Sequence, residues 1–328
     1  MKKILSFLFV ILLLASCGAG TAKKTKIVES AEPAVVVPKF NADSAYNFVG
    51  AQVAFGPRVP NSAEHRACAD WLETKLRSYG AEVVSQNIEL TAYTGERLNA
   101  RNIIAQFQPQ KKKRVLLCAH WDSRPWADAD PDPSNHRKPI LGANDGASGV
   151  GVLLEVARQL SLQPTEIGID IILFDAEDYG THASEEATVD NSWALGSQYW
   201  ARIPHKQNYY ARYGILLDIV GAPGSRFYRE GISERYASHI IDKVWSRAAS
   251  LGYADTFINS EGGYVTDDHL YINHYLNIPC IDIINHDADS ENGFGPYWHT
   301  IKDDMDWISS ETLKMVGETV LAVIYNEK

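Results

Sequence analysis

The chain has 328 residues, of which 45% are hydrophobic and 22% charged, ordinary proportions for a globular protein. A formal net charge of -10 excludes nucleic acid as the main partner, because phosphate binding needs a basic surface. Setting aside the N-terminal segments leaves a body of about 290 residues, enough for one large core or two small ones.

Lys2 and Lys3 form a positive start, followed by an apolar stretch from Ile4 to Leu14 that is too short to span a bilayer. Leu14-Ala15-Ser16-Cys17 then resembles a bacterial lipobox, which predicts a signal peptide over 1–16 and a lipidated Cys17. An ordinary secretory signal with an incidental cysteine is the alternative. Residues 17–37 are small, polar and Pro-containing and read as anchor and flexible tether, leaving 38–328 as a single catalytic domain. Cys68, Cys118 and Cys280 remain, an odd count that leaves at least one free thiol. Cys118 and Cys280 sit in apolar runs and read as buried, inert thiols.

Two helical patterns occupy 43–75, the second capped by Ser62 and carrying Ala67, Trp71, Leu72 and Leu76 until Gly80 stops it. Extended runs follow at 82–91, 102–106 and 114–119. Residues 146–160 are strongly helical, with Val150, Leu153, Leu154 and Ala157 on one face. Strands are predicted at 170–174, 214–220 and 278–284, and helices at 232–251 and 311–324. Strands alternating with helices of this length imply an α/β fold, a three-layer sandwich whose central sheet is mostly parallel and flanked by helices.

In such folds ligands bind beyond the carboxyl ends of the strands. Five polar clusters fall there or in the loops between: His120-Trp121-Asp122-Ser123, Gly142-Ala143-Asn144-Asp145-Gly146, Asp175-Ala176-Glu177-Asp178, Asp218-Ile219-Val220-Gly221 and Tyr297-Trp298-His299-Thr300. Zinc takes imidazole nitrogen and carboxylate oxygen, and adjacent acids such as Glu177 and Asp178 repel unless a cation or proton neutralises them. Each residue has an ordinary alternative. Asp145 could cap the following helix, Asp178 could be a solvated loop acid, and His299 could cap a strand end. Five strand ends each delivering a ligand-type residue are harder to explain that way.

The order His-x-Asp-Ser, Gly-Ala-x-Asp, Phe-Asp-x-Glu-Asp, Leu-Asp-x-x-Gly and Trp-His-Thr resembles the zinc aminopeptidase superfamily. Within it the chain is most similar to the glutaminyl-peptide cyclotransferases, including bacterial members of the animal type, from about Phe40 to the C-terminus. The sharpest shared pieces are His120 to Arg124, Asp267-Asp268-His269, and Trp298-His299-Thr300 followed by Asp303-Asp304. The resemblance implies a zinc-exopeptidase-like fold and one zinc ion per chain, held by Asp145, Asp178 and His299. Animal members usually carry Glu where Asp178 stands. It further implies Glu177 as proton-shuttling acid/base, Asp218 and Asp267 as a hydrogen-bonded acid pair, and Trp193 and Trp298 as pocket walls.

The implied reaction converts the N-terminal Gln of peptides and proteins to pyroglutamate with release of ammonia. The implied setting is a monomer in a bacterial cell envelope, facing the periplasm and touching the membrane only through its lipid. Two rivals stand beside it. A di-zinc aminopeptidase would use His120 and Asp218 as further ligands, and both residues are present. A non-catalytic binding lipoprotein would be expected to lack a ligand or the acid/base, and none is missing.

Overall fold

The computed structural model describes residues 35–286 and 292–328. The expected signal peptide, the lipidated Cys17 and the tether up to residue 34 lie outside the described residues. Helix α1 (Ala42–Val53) begins at Asn41, whose side chain accepts the Ser44 N–H, and α2 (Ala63–Ser78) begins at Ser62, which accepts from His65. Cys68, Leu72 and Leu76 form the buried face of α2, and Gly80, at φ +83°, follows its end. Then come β1 (Glu82–Thr91), β2 (Arg97–Phe107), β3 (Arg114–His120), α3 (Ala147–Leu162), β4 (Gly168–Phe174) and α4 (Leu195–Arg202). The chain continues through β5 (Gly214–Asp218), β6 (Phe227–Arg229), α5 (Gly231–Ser250), β7 (Phe257–Glu261), α6 (Asp268–Tyr271), β8 (Cys280–Ile284) and α7 (Ser310–Tyr325).

Six strands form one mixed sheet in the order β1-β2-β4-β3-β5-β8. β4, β3, β5 and β8 run parallel, while β2 pairs antiparallel with β4 and β1 antiparallel with β2. Every residue of the four parallel strands is buried, as a sheet covered on both faces requires. Alternation along β3 shows the two layers. Val115, Leu117 and Ala119 pack into the larger core with α1, α2, α3, α5 and α7, while Leu116 and Cys118 face Trp200 of α4 and Tyr271 of α6. Cys68, Cys118 and Cys280 are all buried and free.

Each predicted helix and strand has a counterpart. The strand expected over 214–220 stops at Asp218, because Ile219 turns into the left-handed region at φ +49°. α4, β6, β7 and α6 were not anticipated. They span eight, three, five and four residues, too few for a periodic signal, and form where tertiary contacts hold them.

Candidate active site

Because β3, β4 and β5 run parallel, His120, the acids after Phe174 and Asp218 emerge on one side of the sheet. The loop preceding α3 adds Asp145, the turn into α6 adds Asp267, and the segment after β8 returns with Trp298 and His299. All eight residues singled out for metal, catalysis and substrate, namely Asp145, Glu177, Asp178, Trp193, Asp218, Asp267, Trp298 and His299, line one cavity of about 240 Å³.

Two of the ordinary alternatives, those for Asp145 and Asp178, do not fit the structure. The cap position of α3 is Gly146 with no side-chain hydrogen bond, so Asp145 is not its cap. Asp178 and His299 are buried rather than solvated. His299 Nε2 lies 3.3 Å from Asp178 Oδ1 and 3.6 Å from Asp145 Oδ2, and one donor atom from each residue falls within a 4.8 Å cluster. Asp178 Oδ2 is buried without a hydrogen-bond partner. Burial first, and Asp145 next, push the Asp178 carboxyl well above its ordinary range. Burial, followed by the Arg124 charge, keeps His299 well below its own, hence neutral. Two close acids with an orphaned oxygen and a neutral imidazole are the donor set a divalent cation such as zinc would satisfy.

A second group shares Asp145. His120 Nε2 sits 3.0 Å from Asp145 Oδ1 and 3.1 Å from Asp218 Oδ1, and these three residues also fall within one cluster of possible metal donors. Burial opposes a charge on His120, but hydrogen bonds to Asp122, Asp145 and Asp218 outweigh it and raise the imidazole well above its usual range. Asp218 is pushed up to about 7, by burial against the pull of His120, with Asp145 and Asp267 adding to the rise. Burial and then the Asp267 charge push Glu177 well above the usual carboxyl range.

Backbone N–H groups of the site are gripped by carboxylates to which the sequence reading assigned no role. Asp122 accepts from Glu177 N at 3.1 Å and Asp178 N at 3.2 Å. Asp303 accepts from Asn144 N at 2.7 Å and Asp145 N at 3.1 Å. Asp175 receives His65 Nε2 at 2.8 Å and the Arg101 and Ala176 amides. The shared motifs contain Asp122 and Asp303, but only the folded chain shows what they hold. Ala176, Ile219 and His299 all have left-handed φ, at +52°, +49° and +53°, a density of strained backbone typical of functional sites.

Two indoles stack near the His299 ring: Trp298 at 3.5 Å between ring centroids and Trp193 at 5.9 Å, both within 20° of parallel. Trp193 rests over Gly180, where a Cβ would sit 2.0 Å from the indole. Asp267 of the cavity wall also forms a further buried cluster with His269 and Asp282. Burial, then Asp267, Asp218 and Glu230, push Asp282 well above the carboxylate range and hold it neutral.

Comparison with known proteins accords with this geometry. A family model, that of Peptidase family M28, matches residues 102–324. The crystal structure of Bacteroides thetaiotaomicron glutaminyl cyclase bound to N-acetylhistamine is 57% identical, with a TM-score of 0.88, covering 89% of this chain and 100% of that one. A Zn-dependent exopeptidase from Parabacteroides distasonis gives the same identity, coverage and TM-score, so the mixed sheet is the zinc-exopeptidase-like fold that the motifs implied. An aminopeptidase of Bacillus subtilis is 29% identical over 248 residues, 73% of this chain and 46% of that protein, so this chain spans less than half of that relative's length. The matched motifs, the sheet and the crevice beyond its strands lead to one conclusion: the chain belongs to peptidase family M28.

Proposed function

We propose that this protein is a glutaminyl-peptide cyclotransferase that closes N-terminal Gln to pyroglutamate and releases ammonia, with one zinc ion held by Asp145, Asp178 and His299. The observation that carries this reading is a three-donor group opening onto a tryptophan-walled cavity into which Glu177, Asp218 and Asp267 also project. The chain's 57% identity to a glutaminyl cyclase supports cyclisation, and a leucine aminopeptidase precursor of Bacteroides thetaiotaomicron at the same 57% identity makes the ammonia assay below the deciding measurement.

The α-amine attacks the γ-carbonyl carbon of its own residue, a C–N bond closes the ring, and the carbon–amide nitrogen bond breaks. Zinc in a three-ligand site supplies Lewis-acid polarisation of that carbonyl. Glu177 takes a proton from the attacking amine and returns it to the departing nitrogen. The raised acids Asp218 and Asp267 bind and orient the amine or the leaving amide. Trp193 and Trp298 hold the side chain folded against itself, where ring closure gains from proximity, and keep water away. His120, with Nε2 at 3.0 Å from Asp145 and 3.1 Å from Asp218, completes the donor set that a second cation would use, so counting zinc per chain separates one ion from two.

An ammonia-release assay on a Gln-peptide, with zinc counted and with chelator added, tests the reading. Ammonia and pyroglutamate are expected, lost on chelation and restored by zinc. Two zinc ions per chain with release of free amino acids and no ammonia would establish the aminopeptidase instead. The Leu14-Ala15-Ser16-Cys17 sequence supports a lipid-anchored protein in a bacterial envelope that meets exported proteins with N-terminal Gln. Cys17→Ala should move the protein from the membrane to the soluble fraction, and unchanged fractionation would count against the anchor.

A further inference from the structure

Arg124 is 1% exposed, and every nitrogen of its guanidinium is engaged. Nε and Nη2 make a fork onto Asp128, at 2.7 and 2.6 Å. Nη1 donates to both the side-chain Oδ1 and the backbone oxygen of Asp178, each at 3.2 Å, and Nη2 also reaches Thr181 O at 3.2 Å. The guanidinium Cζ lies over the Trp193 ring, 4.7 Å from the ring centre, with the Trp126 ring centre at 5.5 Å.

Asp128 extends the network to the third metal donor. Its Oδ1 stands 3.6 Å from His299 Nδ1, the ring nitrogen turned away from Asp145 and Asp178, a few tenths of an ångström beyond a hydrogen bond. The next residue, Ala129, donates its N–H to His299 O at 3.1 Å, and Ala183 N donates to Asp128 Oδ2 at 2.8 Å. One guanidinium therefore ties together the segment after β3, the segment after β4 and the return segment after β8. Through them it reaches two of the three zinc donors and one wall of the substrate cavity.

We propose that Arg124 and Asp128 are positioning residues that set zinc affinity through Asp178 and His299, and that Arg124 also fixes the pose of Trp193 for the Gln side chain. The inference rests on the zinc reading above. Carboxylates behind a ligating histidine fix its tautomer and orientation, and their loss typically lowers metal affinity about 10- to 100-fold. A lysine at 124 keeps the charge but offers neither a fork for Asp128 nor a flat face for the indole.

The test uses the full chain, with zinc affinity measured by chelator competition well below the melting temperature, alongside kcat and KM on a Gln-peptide at saturating zinc. Asp128→Asn, nearly isosteric, should weaken zinc about 10- to 100-fold with KM little changed. Arg124→Lys should weaken zinc to a similar degree and also raise KM and shift tryptophan fluorescence. A purely structural ion pair would instead lower the melting temperature and leave the zinc affinity of the folded protein unchanged. That result in both variants overturns the proposal. Should Arg124→Lys fail to fold, Asp128→Asn decides the zinc claim and Trp193→Phe, expected to raise KM without moving zinc affinity, decides the claim about the wall. A wild-type chain that takes up no zinc overturns the underlying reading, which the same titration distinguishes.

Discussion

Asp122 receives the N–H groups of both Glu177 and Asp178, and Ala176 just before them adopts φ +52°. This turn lets two adjacent acids border one cavity, whereas on a regular strand they would face opposite ways. Asp178 lies in hydrogen-bond range of Arg124 and close to His299, while among the charges acting on Glu177 the nearby Asp267 weighs most. The division of labour proposed above follows from these surroundings. Glu177→Gln should reduce kcat by a factor of about 10² to 10⁴ while zinc stays bound, and near-normal turnover would refute its role. Gly180→Ala places a methyl group where the Trp193 indole rests, 2.0 Å away, so the wall must swing aside. KM for Gln-peptides should rise several-fold, and an unchanged KM would show that Trp193 does not contact substrate. Paired acids with a cation between them were readable from residue types. Which acid faced which partner was not, because one side chain's surroundings come from several separate segments.

Helix α3 lies so close to the sheet that a Cβ on Gly149 would stand 2.1 Å from the Leu217 carbonyl oxygen of β5. That approach sets the depth at which the loop before α3 delivers Asp145. Gly149→Ala should cost about 1–3 kcal/mol, read as a lowered urea midpoint, because backbone must move to make room. Long elements with a clear apolar rhythm, such as α3, α5 and α7, were legible in the sequence, as were the buried runs of β3, β4 and β5. The strand expected over 170–174 begins with Asp170, for which the sequence names no partner; it is wholly buried and paired with Arg114 of β3 at 2.6 Å, with Gln106 and Tyr209 also donating to it. Its partners lie on two other strands and on the segment before β5, so no local pattern announces them. The short α4 and α6 were missed for the same reason. They are stable only where Trp200 and Tyr271 cover the far face of the sheet.

Stability against acid depends on a group behind the cavity. Burial alone would raise Glu230, but the His269 ring at 3.0 Å, the Ile232 amide and the Ser233 hydroxyl outweigh it and bring the carboxyl down to about 2. An acid whose folded pKa lies below its unfolded value near 4.5 stabilises the fold fully above that value and loses its contribution as pH falls towards 2. The difference corresponds to about 3 kcal/mol. Glu230→Gln should therefore be less stable than the native chain at pH 7, with the gap closing between pH 4.5 and 2 in urea titrations. A gap that stays constant would exclude this linkage. Zinc contributes to the same balance. Chelation should lower the melting temperature, since a ligand at a thousandfold excess over its Kd stabilises the folded state by about 4 kcal/mol. An unchanged melting curve would count against a tightly held ion. The sequence by itself determined the α/β class, the long elements, the ligand-type residues at strand ends and, through its motifs, the family, because these depend on local pattern and residue type. Only the tertiary structure decided that Trp193 stacks near the His299 ring, that Asp122 and Asp303 hold the N–H groups of the acid-bearing turns, and that Arg124 reaches Asp178. Each of those contacts joins residues that meet only when distant segments pack around the carboxyl ends of the parallel strands.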